Sequence, residues 1–239
     1  MALWSRRFQI VDLTPDNGEL IDQAALLLLD AFRKRSESWQ DLESARQEVI
    51  ESLAPDRISR VLVDDSGIAL GWIGGISTYR GRVWEIHPLA VSASHRRRGI
   101  GRALVEDLER LAEARGALTL WAGSDDENNE TTLSGTDLYP DIPGAIRNIR
   151  NLHQHPYEFY LRLGFRIAGV LPDANGRGKP DIFLAKRVSI PESRKEVQGK
   201  MAKKSRGGRM TAAKKRAAKS PGGKGRVKKR RAGRNIMKT

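Results

Sequence analysis

Residues 83–103, VWEIHPLAVSASHRRRGIGRA, carry the groups best suited to chemistry in this chain. An apolar strand, Val83–Val91, runs into a basic turn punctuated by Gly99 and Gly101, and a helix opens there. The first N–H groups of a helix lack intrahelical partners, and the helix dipole adds partial positive charge beside them. Such a corner holds a phosphate group. The expected cradle comprises Arg96, Arg97, Arg98, Gly99, Ile100, Gly101, Arg102 and Ala103. Within the strand, Glu85 stands between Trp84 and Ile86. A carboxylate in a core strand needs either a partner or a task, so Glu85 is a candidate reactive group.

Other polar groups are weaker signals. Asp125, Asp126 and Glu127 form an acidic run just after a short apolar segment that ends near Gly123. His153 and His155 have no third ligand at a suggestive spacing, so no metal site is expected. His155-Pro156 is read as shaping the entrance to a following helix, and His87-Pro88 as structural. The chain has no cysteine, which excludes disulfides, thiolate metal sites and an acyl-cysteine intermediate. Trp39 and Trp84 are read first as core packing, with stacking on a ring substrate as the alternative.

These groups need a scaffold. Phe8–Leu13 reads as a first strand, and Leu20–Phe32 as a helix capped by Asp16 or Asn17. Trp39–Leu53 reads as an amphipathic helix with Leu42, Ala45, Val49 and Leu53 inward, stopped by Pro55. Arg60–Asp64, Ala69–Tyr79 and Val83–Val91 form successive antiparallel strands. The helix Ile100–Arg115 then crosses to a buried strand, Leu118–Ala122, parallel to Val83–Val91. Ser124–Pro143 is too polar and long for a simple connection, so it is expected to be a functional insertion or lid. Helices at Ala145–Leu152 and Tyr157–Leu163, and strands at Phe165–Leu171 and Asp181–Val188, complete the order. The fold class is α+β: a mixed, mostly antiparallel sheet with helices on both faces.

Charge divides the 239 residues sharply. Residues 190–239 hold 19 Lys+Arg against 2 Asp+Glu, whereas 1–189 hold 24 against 27, so the net +14 belongs to the tail. One domain over 1–189 and a disordered basic tail over 190–239 are therefore expected. The tail has no aromatic residue to stack on bases. Its expected partner, if any, is nucleic acid bound non-specifically through phosphate, with a merely solvated tail as the alternative. No apolar run is long enough to span a bilayer, so a cytoplasmic location is expected, with nucleoid association through the tail as an extension.

Five segments in order, WEIHPLAV, RRRGIGRAL, GSDDE, IRNIRNLHQHPYEFYLRLGF and LPDANGRGKPDIFLAK, resemble the aminoglycoside 6′-N-acetyltransferases of the GNAT superfamily. The similarity runs from about Trp84 to Lys186 and is weaker before it. It implies the GNAT fold, a strand with a bulge that splays from its neighbour, acetyl-CoA as cosubstrate and a homodimer. It further implies that Arg96–Ala103 hold the pyrophosphate and that Leu89, Ala90 and Val91 meet the pantetheine arm. Glu85 would position the amine and take its proton. Tyr160 would face the coenzyme sulfur as general acid, with an ordinary phenol pKa sufficing. Trp84, Glu85, Asp125, Asp126 and Glu127 are the expected acceptor contacts, Asp125 first, because a polycation is steered and held by carboxylates. Two alternatives stay open: another amine acceptor, such as a polyamine, a metabolite or a protein lysine, or a nucleoid-binding protein with a regulatory acetyltransferase domain.

Overall fold

The computed structural model describes residues 8–188 except Lys34, Ser36 and Glu37. The domain boundary expected near residue 189 and the basic segment 190–239 lie outside the described residues. The element order is β1 (Phe8–Asp12), α1 (Gly18–Phe32), α2 (Leu42–Glu51), β2 (Arg57–Asp64), β3 (Ala69–Thr78) and β4 (Val83–Val91), then α3 (Ile100–Ala114) and β5 (Thr119–Asp125). After these come α4 (Ile142–Arg147), α5 (Tyr157–Arg162), β6 (Arg166–Leu171) and β7 (Asp181–Arg187).

Among the described residues, seven strands form one sheet in the order β1-β2-β3-β4-β5-β7-β6. Of these, only β4 and β5 run parallel, linked by the crossover helix α3. The sheet is thus mixed and mostly antiparallel, as the strand pattern implies. One core cluster joins Ile73, Trp84 and Ile86 of the sheet to Leu104, Val105 and Leu108 of α3. A second, on the opposite face, joins Val61, Val63 and Trp72 to Leu20, Ala24 and Leu28 of α1 and to Ala45 and Val49 of α2. Helices cover both faces, so β2 and β3 are buried on both sides, whereas β4 and β5 bury one face and leave the other half-buried or exposed.

Local chemistry sets the ends. Asn17 caps α1 by accepting the N–H of Leu20 at 3.1 Å. In α2 the expected start at Trp39 is replaced by Leu42, because Asp41 accepts the N–H of Ser44 at 2.7 Å and acts as the cap. Trp39 lies before it with φ 53°, outside helical space. Leu42, expected inward, is therefore in the first turn and exposed. The expected helix Ala145–Leu152 begins and ends earlier, at Ile142–Arg147. Asp141 caps it at Gly144, and Asn148 folds its amide back onto the Gly144 carbonyl at 2.9 Å. Asn151 instead pairs with Thr131 in an isolated bridge.

The segment after β5 is not a free-standing lid. Leu133 and Leu138 are buried in the α3-side core. Asp126 accepts the backbone N–H groups of Glu130 and Thr131 at 2.7 and 2.8 Å, which folds the turn on itself.

Candidate active site

Strands β4 and β5 pair only at Val83–Glu85 with Thr119–Trp121. Beyond that point β5 continues beside β7 to Asp125, and β4 continues beside β3 to Val91. The two strands therefore part, and the edge of Ile86–Val91 that faces β5 has no ladder. Extended ligands bind to such an edge through backbone groups. A bulge lies at the parting: β3 has Gly74 alone between Ile73 and Gly75, where β4 has His87 and Pro88 between Leu89 and Ile86. Gly74 is required there, because a Cβ would sit 2.2 Å from the His87 carbonyl oxygen.

One end of the cleft is the corner between β4 and α3. Gly99 has φ 87°, a conformation that favours glycine, and no side chain caps the first turn of α3. The N–H groups of that turn thus remain available to an anion. Ala103 differs from the expectation: its N–H is already bonded to the Gly99 carbonyl at 3.0 Å, so it donates nothing to a ligand. Ile100 is buried and packs over Gly71, leaving only its backbone to the corner. Arg96, Arg97 and Arg98 are exposed around it, and Arg96 Nε reaches the Val91 carbonyl at 3.4 Å. Arg102 pairs with Glu106 at 3.5 Å.

Helix α5 closes this end. A Cβ on Gly101 would lie 3.2 Å from the Phe159 ring and 3.7 Å from Val91, so the bare glycine lets α5 approach the turn. Tyr160 follows, with its ring edge-on to Phe159 and Phe165 at 5.1 and 5.4 Å. It is only 7% exposed, and burial pushes its phenol well above the ordinary value. The expectation of an unperturbed phenol is corrected: Tyr160 holds its proton more firmly and can act only as donor at neutral pH.

The other end is acidic. Glu85 is half-buried, which raises its pKa, while the charges of His87 and Arg57 lower it. His87 stands between two carboxylates, with Nδ1 3.8 Å from Glu85 and Nε2 3.8 Å from Glu48 of α2. Trp39, placed by the α1–α2 connection, lies against the His87 ring at 5.7 Å and against Phe32 at 5.0 Å. The two N-terminal helices thus form one wall beside Glu85.

Asp125 is exposed at the end of β5 and accepts from the Asn175 side chain. Opposite it, in register on β7, is Asp181. Asp181 accepts the N–H of Ser124 at 2.7 Å, and its pKa rises to about 6 through burial, with the Asp125 and Glu85 charges adding to the effect. Trp121 and Phe183, on the same face, meet edge-on at 5.7 Å.

Two expected acceptor contacts face elsewhere. Trp84 is 3% exposed, lies in the α3-side core and carries the Arg115 guanidinium 5.2 Å above its ring. Strand alternation places it on the opposite face from Glu85. Asp126 is 1% exposed, with both oxygens taken by backbone N–H groups. Glu127 is half-buried in the same turn. Conversely, Asp181, Asn175, Glu48 and Trp121 escaped the sequence reading, although the first two lie inside the LPDANGRGKPDIFLAK block that carries the resemblance. The signal available was alternation: Asp181 and Phe183 share a face, and Phe183 is opposite Gly123 in register.

A sheet parted beside a crossover helix, with an anion corner at one end and carboxylates at the other, defines a class of enzyme that moves an acyl group from a phosphate-bearing carrier to an amine. The comparisons agree. The acetyltransferase (GNAT) family pattern matches residues 23–133. A crystal structure of an aminoglycoside 6′-N-acetyltransferase complexed with coenzyme A is 40% identical, with a TM-score of 0.71 over 77% of this chain and 98% of that one. The aminoglycoside 6′-N-acetyltransferase from Enterococcus faecium is 42% identical, with a TM-score of 0.70 over 77% of this chain and 98% of that one. A thialysine N-ε-acetyltransferase from Caenorhabditis elegans is 25% identical over 138 residues, 57% of this chain and 86% of that protein. The chain belongs to the GNAT acetyltransferase family.

Proposed function

We propose that this chain transfers acetyl from acetyl-CoA to the 6′-amine of aminoglycosides, by direct attack within a ternary complex. The observation that carries this reading is the parting of β4 from β5 with Glu85 at its apex, the anion corner of α3 at one end and Asp125 at the other. The identity of about two residues in five to solved aminoglycoside 6′-N-acetyltransferases supports the acceptor class.

In this mechanism the N-terminal turn of α3 and the surrounding arginines hold the pyrophosphate, and the unladdered edge of β4 takes the pantetheine arm. Glu85 accepts a proton from the acceptor ammonium, directly or through water. The neutral nitrogen then attacks the thioester carbonyl, whose oxygen is stabilised by a backbone N–H of Leu89–Val91. A C–N bond forms, the C–S bond breaks, and the acylated nitrogen gives its extra proton to water. Tyr160 gives its proton to the departing thiolate and recovers one from solvent. Burial raises the Glu85 pKa, which makes it a stronger base than a solvated carboxylate. The chain has no cysteine, so no acyl-cysteine step is available. The test is the site of acetylation on kanamycin after turnover, read by NMR. Acetyl on the 6′-nitrogen supports the reading, and faster acetylation of spermidine or a histone peptide than of kanamycin overturns it.

For residues 190–239 we propose non-specific binding to nucleic acid through phosphate, supported by 19 basic residues against 2 acidic ones. A DNA mobility shift seen with the full chain and lost in a 1–189 truncation, weakening steeply with salt, is the expected result.

A further inference from the structure

We propose that Asp181 is an acceptor-holding carboxylate of this cleft: it binds a second ammonium of a di- or polycationic acceptor, one step along β5 from the amine that Glu85 serves. The inference rests on the cleft being the acceptor site.

The geometry is carried by β5. Its residues on the cleft face are Trp121, Gly123 and Asp125. Glu85 is level with Trp121 in the parallel pair. The Asp181 carboxyl occupies the space above Gly123, since a Cβ there would lie 2.9 Å from Asp181 Oδ2. Asp125 follows. Three carboxylates thus line this face of the sheet: Glu85 beside Trp121, Asp181 reaching from β7 over Gly123, and Asp125 at the end of β5, where two residues of strand span roughly 6–7 Å. That is the reach between the ends of a short diamine, or between amines on one or two sugar rings.

The Asp181 carboxyl is held by backbone donors, the N–H of Ser124 and that of Ile182. Oδ1 accepts the Ser124 N–H at 2.7 Å, while Oδ2 lies over Gly123. Asn175 donates to Asp125 Oδ1 and so turns that carboxylate. Among the described residues no Lys, Arg or His forms an ion pair with Asp181 or Asp125. The charged groups nearest on β4 and β2 are Glu85, which repels Asp181, and His87 and Arg57, which act on Glu85. Partly buried carboxylates lacking a basic partner are costly unless a cation arrives. An acceptor ammonium supplies it. Gly123 is then a positioning residue, because any side chain there would move the Asp181 carboxyl.

The test compares wild type, Asp181→Asn and Gly123→Ala by steady-state kinetics, using kanamycin and a single-amine sugar with one primary aminomethyl group. Asp181→Asn keeps the oxygen that accepts from Ser124, and Gly123→Ala keeps the carboxylate but displaces it. The expected result is a KM for kanamycin raised about tenfold or more in both variants, the scale of a lost charge-assisted contact. The KM for the single-amine sugar should rise far less than that for kanamycin. An unchanged KM for kanamycin, or an equal rise for both acceptors, overturns the role of Asp181. If the wild type ignores kanamycin, the aminoglycoside reading fails alone, and the same comparison of spermidine with a monoamine decides Asp181. A wild type that turns over no polycation overturns both.

Discussion

His155 Nε2 lies 3.0 Å from the backbone carbonyl oxygen of Asp125. The other ring nitrogen, Nδ1, accepts the N–H of Tyr157 at 3.2 Å, so Nε2 carries the proton and donates to Asp125. Asn151 clamps the same residue, accepting the His155 N–H at 2.8 Å and donating to its carbonyl at 3.0 Å. One buried imidazole therefore joins the first residue of α5, which carries Tyr160, to the acidic end of β5. Burial lowers its pKa, with the Asp125 carbonyl acting against that.

Replacing His155 by Ala should strand the Tyr157 N–H and the Asp125 carbonyl. Leaving buried groups unsatisfied costs about 1–3 kcal/mol each. The melting temperature should fall by roughly 5–15 °C for a domain of this size. Urea unfolding of the variant checks this, and a midpoint equal to wild type would contradict the clamp.

Glu85→Gln keeps shape and removes the base. The expected kcat loss is about 100- to 1000-fold at neutral pH. Coenzyme affinity by calorimetry should be unchanged, since the anion corner lies at the far end of the cleft. In wild type the acid limb of kcat/KM should fall above the ordinary glutamate value, because burial raises the Glu85 pKa. A limb at the ordinary value, or one that persists in Glu85→Gln, would assign the base elsewhere.

Gly99→Ala tests the corner. At φ 87° a Cβ costs about 1–2 kcal/mol of backbone strain and turns the first N–H groups of α3 away from their ligand. The Kd for coenzyme A should rise about tenfold or more while the KM for the acceptor holds.

Much of this was legible from sequence because it is local. The glycine corner, the apolar strand Val83–Val91 and the cap at Asn17, one of two candidates with Asp16, each depend on neighbours within a few residues. What escaped was set across strands. Trp84 and Glu85 are adjacent in sequence but face opposite sides of β4. Asp125 and Asp126 look equivalent until the turn folds Asp126 onto the N–H groups of Glu130 and Thr131. Asp181 joins the site only because β7 lies antiparallel to β5, bringing it opposite Asp125 from more than fifty residues away. The cap at Asp41 was local and still missed, since the apolar spacing from Trp39 suggested a longer helix.

The last prediction concerns stability and pH at Asp181. Its carboxyl titrates near 3.8 when solvated and at about 6 in the fold. Between these values the folded chain binds more protons than the unfolded chain, so stability contributed by this group is present below about pH 4 and is lost as pH rises through 6. Above that, the ionised group costs on the order of 1–3 kcal/mol, reduced by its partial exposure. Asp181→Asn removes the charge and keeps the bond from Ser124. The variant should therefore be more stable than wild type at pH 8 and no more stable at pH 4, read from urea midpoints. A saturating polycationic acceptor should narrow the gap at pH 8, because its ammonium meets the carboxylate in wild type alone. A gap equally large at both pH values would mean that Asp181 is not the strained charge of this cleft.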